Sequence, residues 1–174
     1  MLTLTLIRHA KSSWSRPDLG DHDRTLNERG LRAAPQMGRW LAAHGWAGEN
    51  GPGLPDHWLS STATRARLTA EIMAGECGLP LTALHFDRRL YLADSRELLH
   101  FVRETPVCRH LVLFSHNPGI EDFANELLET GGDLVFKTSA VACLTLPQDE
   151  WQWLDFGTAS LRFHTWPAQL EQDA

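Results

Sequence analysis

The chain has 174 residues, 43% hydrophobic and 22% charged, and its 16 Lys and Arg against 22 Asp and Glu give a net charge of -6. That length suits a single domain over residues 1–174, able to bury roughly 70% of its unfolded surface, and the composition argues against disorder. The acidic balance lacks the broad basic surface that nucleic acid requires, so no nucleic-acid partner is expected.

In chain order, Leu2, Leu4 and Leu6 alternate with Thr3, Thr5 and Ile7, the pattern of a strand. Arg8 and His9 follow at its C-terminal end, where open α/β sheets bind ligands. No basic region precedes this stretch and Arg8 interrupts it, so neither a signal peptide nor a membrane span is expected, and the predicted location is the cytoplasm. Ser15 to Arg24 is polar and turn-rich and reads as a surface loop beside that strand end. Asn27 to His44 reads as a helix with Asn27 as N-cap and an inward stripe of Leu31, Ala34, Met37 and Leu41. Pro35 predicts a kink there, or a helix that begins nearer Ala34.

Gly45 to Pro55 reads as an exposed loop and His57 to Ser60 as a short strand. Ser61 and Thr62 are candidate caps for a helix from Ala63 to Cys77, striped by Ala66, Ala70, Met73 and Cys77, with Arg65 in its first turn. Leu84 to Asp87 is a predicted strand and Asp94 to Glu104 a helix with Leu98, Leu99 and Phe101 inward. The apolar run Leu111 to Phe114 suits a central strand covered on both faces, delivering Ser115, His116 and Asn117 at its end. Pro118 and Gly119 open a helix to Thr130. Ala140 to Leu146, Trp151 to Phe156 and Leu161 to Thr165 read as strands, and Gln169 to Ala174 as a frayed tail. Cys77, Cys108 and Cys143 are odd in number and set in apolar segments, as buried thiols of a reducing compartment are. Tyr91 is expected to pack against the helix beginning at Asp94 rather than to line a site, and the seven tryptophans to serve packing.

Strands alternating with helices predict a three-layer α/β/α sandwich, mostly parallel, with extra strands near the C-terminus. Three strand ends then carry Arg8 with His9, Arg65, and His116. Two arginines supply planar donor forks suited to phosphate, and two imidazoles can supply a nucleophile and a proton partner.

LIRHAKSSWS resembles the signature of the histidine phosphatase superfamily, with its phosphoglycerate mutase-like fold. SSTATRARLTAEI and VLFSHNPGIED look like its second-arginine and second-histidine motifs, while DHDRTLNERG and FKTSAVACLTL are most similar to the SixA-type phosphohistidine phosphatases. The resemblance implies that His9 attacks phosphorus and that Arg8, Arg65 and His116 hold the phosphoryl oxygens, with no metal and no cofactor. Ser15 matches a phosphate-binding position of the mutase branch. Asn117 joins it as a substrate-binding candidate, and Lys11 and Ser12 stay open between phosphate contact and surface. Two departures stand out. Ala10 replaces the family's common glycine, so the backbone there must accept a Cβ. No acid for protonating an alcohol leaving group is evident. Asp21 and Asp23 are the nearest candidates, and with His22 they fit a solvated loop equally well. A phosphohistidine substrate reduces that need, because its imidazole leaving group has a pKa of about 6.5. The expected partner is a phosphorylated protein, such as a phosphorelay histidine domain, with a small phosphate ester or a non-catalytic phosphate-recognising module as alternatives. No cysteine precedes an arginine by six positions, GxSxG and GxxxxGK are absent, and the histidines show neither HxxxH nor HExxH spacing.

Overall fold

The alternation of the first segment is realised as strand β1, Leu2–Arg8. The computed structural model describes residues 1–47 and 51–172. Further strands are β2 (His57–Ser61), β3 (Leu84–Asp87), β4 (His110–Ser115), β5 (Val141–Leu146) and β6 (Ser160–Thr165). They form one sheet of order β3-β2-β4-β1-β5-β6. The first four are mutually parallel, while β5 runs antiparallel to β1 and β6 antiparallel to β5. The helices are α1 (Glu28–Trp40), α2 (Thr64–Glu76), α3 (Ser95–Arg103), α4 (Gly119–Leu127) and a short α5 (Pro167–Leu170).

Period-two patterning sorts the side chains onto two faces. Leu2, Leu4, Leu6, Leu111 and Leu113 pack with Leu98, Val102, Ile120 and Phe123 of α3 and α4. Ile7, Val112 and Phe114 face the other way, onto Ala34, Met37, Ala70 and Met73 of α1 and α2. Both faces are covered, which is the three-layer α/β/α architecture, with a mostly parallel sheet. Burial of β4 on both sides explains its unbroken apolar run.

Several local expectations are corrected. α1 is continuous through Pro35 from Glu28, because the Asn27 side chain accepts from Gly30 N–H at 3.0 Å and fixes the start there. Leu31 is 53% exposed, and the buried stripe is Gly30, Ala34, Met37 and Gly38. A Cβ on Gly30 would lie 2.3 Å from the Lys11 carbonyl, so the helix approaches that backbone through its bare residue and turns Leu31, about 100° further round, to solvent. A π-helical turn, Leu41–Gly45, continues the segment. Within the expected loop Gly45–Pro55, Gly48, Glu49 and Asn50 lie outside the described residues. Neither Ser61 nor Thr62 is the N-cap of α2. Ala63 is, and Ser61 ends β2. α4 stops at Leu127, short of Thr130. Trp151–Trp153 is a 3-10 turn rather than a strand, because Trp151 and Leu154, three apart, are the residues that turn inward. α5 takes up Gln169 and Leu170 of the expected tail, whose Asp173 and Ala174 lie outside the described residues.

The cysteines are free, and burial pushes each thiol up to about 11. Two glycines make opposite stability predictions. A Cβ at Gly119 would fall 1.8 Å from the Ala93 carbonyl, so Gly119→Ala should cost about 3 kcal/mol. A methyl group at Gly75, in α2, would meet nothing within 4 Å. Gly75→Ala should therefore stabilise by up to about 1 kcal/mol. Urea unfolding of the two variants checks both signs.

Candidate active site

The parallel registers Arg8↔Ser115 and Ser60↔Phe114 bring the C-terminal ends of β1, β4 and β2 level with one another. Arg8, His9, His116 and, through the first turn of α2, Arg65 thereby come together, as the sequence predicts. α2 holds the assembly through one face. Arg65 reaches His9, and one turn later the Thr69 hydroxyl accepts from Ala10 N–H at 3.0 Å while donating to the Arg65 carbonyl at 2.7 Å. Sequence reasoning misses Thr69, although its place four residues after Arg65 is the available signal. On the far side, Ser139 N–H donates to the His9 carbonyl at 3.2 Å from a left-handed backbone with φ of 63°. Ala10 has no positive φ, so its departure from glycine is accommodated without strain.

His9 is 7% exposed. Its Nδ1–H donates to the Ala10 carbonyl at 2.7 Å, and its Nε2 accepts from Arg65 Nε–H at 3.2 Å. Those two partners leave the Nε2 lone pair bare of a proton. Burial pulls the imidazole down to about 4, reinforced by the cations of Arg65, Arg8 and Arg24 and opposed by the bond to Ala10. His116 lies with its ring centroid 5.1 Å from that of His9. Its Nε2 pairs with Ser61 Oγ at 2.7 Å, and burial first, then His9 and Arg65, pulls it down to about 2. Both imidazoles are neutral at physiological pH. His116 Nδ1 and Arg8 Nε are buried without a protein partner, while Arg8 Nη1 donates to the Phe136 carbonyl at 2.7 Å.

Asp21 is drawn into this group as a carboxylate. Its Oδ2 accepts from Arg65 Nη2 at 3.0 Å and from the Tyr91 hydroxyl at 2.6 Å, and its Oδ1 pairs with Arg24 at 3.0 Å. The Arg65 Nη1 donates to the Asp21 carbonyl at 2.6 Å. The Tyr91 hydrogen bond first, then Arg65 and Arg24, pulls Asp21 down to about 2, which is the wrong direction for a proton donor. Tyr91 is corrected from packing residue to site residue. It stands edge-on to His116 and His22, at 5.5 and 4.8 Å between centroids. It gets there because the 3-10 turn Arg88–Leu90 and the positive φ of Leu92 swing the chain over the strand ends.

The remaining candidates have partners other than His9 and Arg65. Asp23 is exposed and pairs with His22 Nδ1 at 3.2 Å, while His22 Nε2 bonds Thr62 Oγ1 at 2.9 Å. Ser15 bonds Ser13, 2.7 Å between hydroxyls, and Ser12 is buried against Leu26 through a backbone bridge. Lys11 lines a different cavity. Asn117 Nδ2 donates to Glu121 Oε2 and to the Phe136 carbonyl, each at 3.1 Å, and its Oδ1 is buried without a partner. Among the described residues no three His, Cys, Asp or Glu side chains are grouped to hold a metal, and no helix is long and apolar enough to cross a membrane.

A sequence model of the histidine phosphatase superfamily (branch 1) matches residues 4–90. The chain is 32% identical over 158 residues to an uncharacterized chloroplastic protein of Arabidopsis thaliana, covering 86% of this chain and 68% of that one. It is 34% identical over 172 residues to an uncharacterized protein of Mycobacterium leprae, covering 91% and 98%. Among solved structures, one from Agrobacterium tumefaciens, assigned as the phosphohistidine phosphatase SixA, is similar at a TM-score of 0.76 and 27% identity, covering 95% of this chain and 98% of that one.

Proposed function

The chain belongs to the histidine phosphatase superfamily, and from that premise we propose that it hydrolyses phosphohistidine in a protein through a covalent phosphoryl intermediate on His9. Once the incoming phosphoryl oxygens draw the Arg65 Nε–H away from His9 Nε2, the freed Nε2 lone pair attacks phosphorus while the bond from phosphorus to the substrate's ring nitrogen breaks, and that electron pair stays on the leaving imidazole. The imidazole departs neutral when its other ring nitrogen already carries a proton, which a conjugate-acid pKa of about 6.5 makes readily available near neutrality. Water then attacks the phosphorylated His9, the electron pair returns to Nε2, and the water's proton passes to solvent. Arg8, Arg65 and His116 stabilise the charge on the equatorial oxygens, and Asn117 flanks them.

The observation that carries the substrate class is the state of Asp21. A phosphate ester releases an alkoxide that needs a proton, and Asp21 is an ionised acceptor for three side chains. Glu121, the carboxylate beside Arg8, likewise accepts from Phe136 N–H at 2.7 Å. Asp21 is not set up as a donor, and a leaving group that needs none fits this site best. Incubation with a phosphohistidine peptide and with a panel of sugar and serine phosphates tests the reading. Preferential turnover of the phosphohistidine is expected. Turnover of the esters alone sinks it, and no turnover of either reduces the site to phosphate recognition.

The neutrality of His9 makes a separate prediction. Nitrogen-15 NMR of the rings should show His9 and His116 uncharged at pH 5.5, with the proton of His9 on Nδ1. The unfolded chain gains protons on these rings below about pH 6.5. Stability from this source is therefore full above that pH and lost as pH falls toward 4, by about 3 kcal/mol for His9. A His9 signal titrating near 6.5 would contradict the assignment.

A further inference from the structure

A cavity of about 320 Å³ opens beside α1, and none of Arg8, His9, Arg65 or His116 lines it. Its walls carry Lys11, Arg29, Arg32 and Lys137, with Trp166 as an aromatic surface and Glu171 as the one carboxylate. The chain has only two lysines, and both are here. In a protein of net charge -6, four cations against one acid is a local reversal of sign. Arg16, Arg24, Arg39, Arg65, Arg67, Arg89 and Arg103 each hold a carboxylate. Lys11, Arg29 and Arg32 have no such partner among the described residues, and the Lys137 ammonium instead stands over the Trp166 ring at 4.9 Å.

Like charges gathered without counterions repel, and an anion placed among them gains from every one. The volume is that of a small-molecule site rather than of a protein interface. We propose that this cavity is a second anion site, taking a small polyanion with at least two phosphate or carboxylate groups. It is coupled to the nucleophile by backbone. The Lys11 carbonyl accepts from Asn27 N–H at 2.9 Å, the Lys137 carbonyl accepts from Ala140 N–H at 2.9 Å, and Ser139 N–H holds the His9 carbonyl. An anion spanning Lys11 and Lys137 braces the two segments on either side of His9.

The two lysines make the test specific. Reductive methylation with carbon-13 keeps their charge and labels only Lys11, Lys137 and the N-terminal amine. Titration with tripolyphosphate at about 0.15 M salt, where exposed long-range attraction is screened, is read from the methyl signals. Both lysine signals should move along one saturable curve. In Arg29→Glu/Arg32→Glu, whose changes lie on exposed helix positions, the apparent Kd should rise at least about tenfold. Arg65→Ala, or Arg65→Gln where alanine fails to fold, should leave the curve in place. Immobile lysine signals, an unchanged curve in the double variant, or loss of the curve in the Arg65 variants would overturn the proposal, the last because the anion then reads the catalytic site. Tighter binding of an oligoglutamate peptide at the same methyls would replace the small ligand by a protein partner and equally overturn it.

Discussion

Replacing His9 with alanine is expected to lower turnover of a phosphohistidine peptide by about 10⁴-fold or more and to abolish an acid-labile, alkali-stable phosphoenzyme. The neighbouring imidazole is not expected to take over, because its ring centroid lies 5.1 Å away from that of His9. Folding should survive. The side chain makes one hydrogen bond to the Ala10 carbonyl and one to Arg65, and the buried carbonyl left behind costs about 1–3 kcal/mol, which a thermal melt will register. A phosphoenzyme of equal intensity in the variant would sink the nucleophile assignment.

The second large effect is expected at Arg65. Arg65→Lys keeps the charge but should lower kcat/KM by about 10²- to 10³-fold. A single ammonium cannot place one donor on His9 Nε2, one on the Asp21 carbonyl and one on its Oδ2, as the guanidinium does at 3.2, 2.6 and 3.0 Å. Asp21 is held by that fork and is expected to act through it, as a positioning residue for Arg65. Asp21→Asn should therefore cost about tenfold by itself and almost nothing further on top of Arg65→Lys. Full additivity in the double-mutant cycle would show that Asp21 acts independently of the arginine.

What the chain declares locally and what only packing decides separate clearly in this site. Arg8, His9, Arg65 and His116 are legible because each stands at or shortly after the end of a strand, and strand ends in a parallel sheet converge by construction. Asp21 is visible as a loop carboxylate, but its role is not. The bond that holds its carboxyl furthest below the ordinary range comes from Tyr91, 70 residues away, whose approach rests on a 3-10 turn and a left-handed residue with no sequence signature. The three-residue spacing of Asp21 and Arg24 across one tight turn is the available hint. Leu31 misleads for a related reason. Periodicity finds the apolar stripe of a helix, but the close approach of Gly30 to Lys11 sets its rotation. Trp151 to Phe156 looks like a strand because aromatic content favours one, yet inward positions three apart select a single helical turn.

The raised thiols have a practical use, although only Cys143 is fully buried and Cys77 and Cys108 are half-buried. With each pushed up to about 11, native thiolate at pH 8 is roughly two to three orders of magnitude scarcer than on an ordinary exposed cysteine. A cysteine introduced at exposed Ser15 by Ser15→Cys would outcompete all three for maleimide without any native cysteine being removed. A single fluorophore could thus be attached beside the loop that carries Asp21, and the approach of a phosphorylated protein to that loop followed in real time.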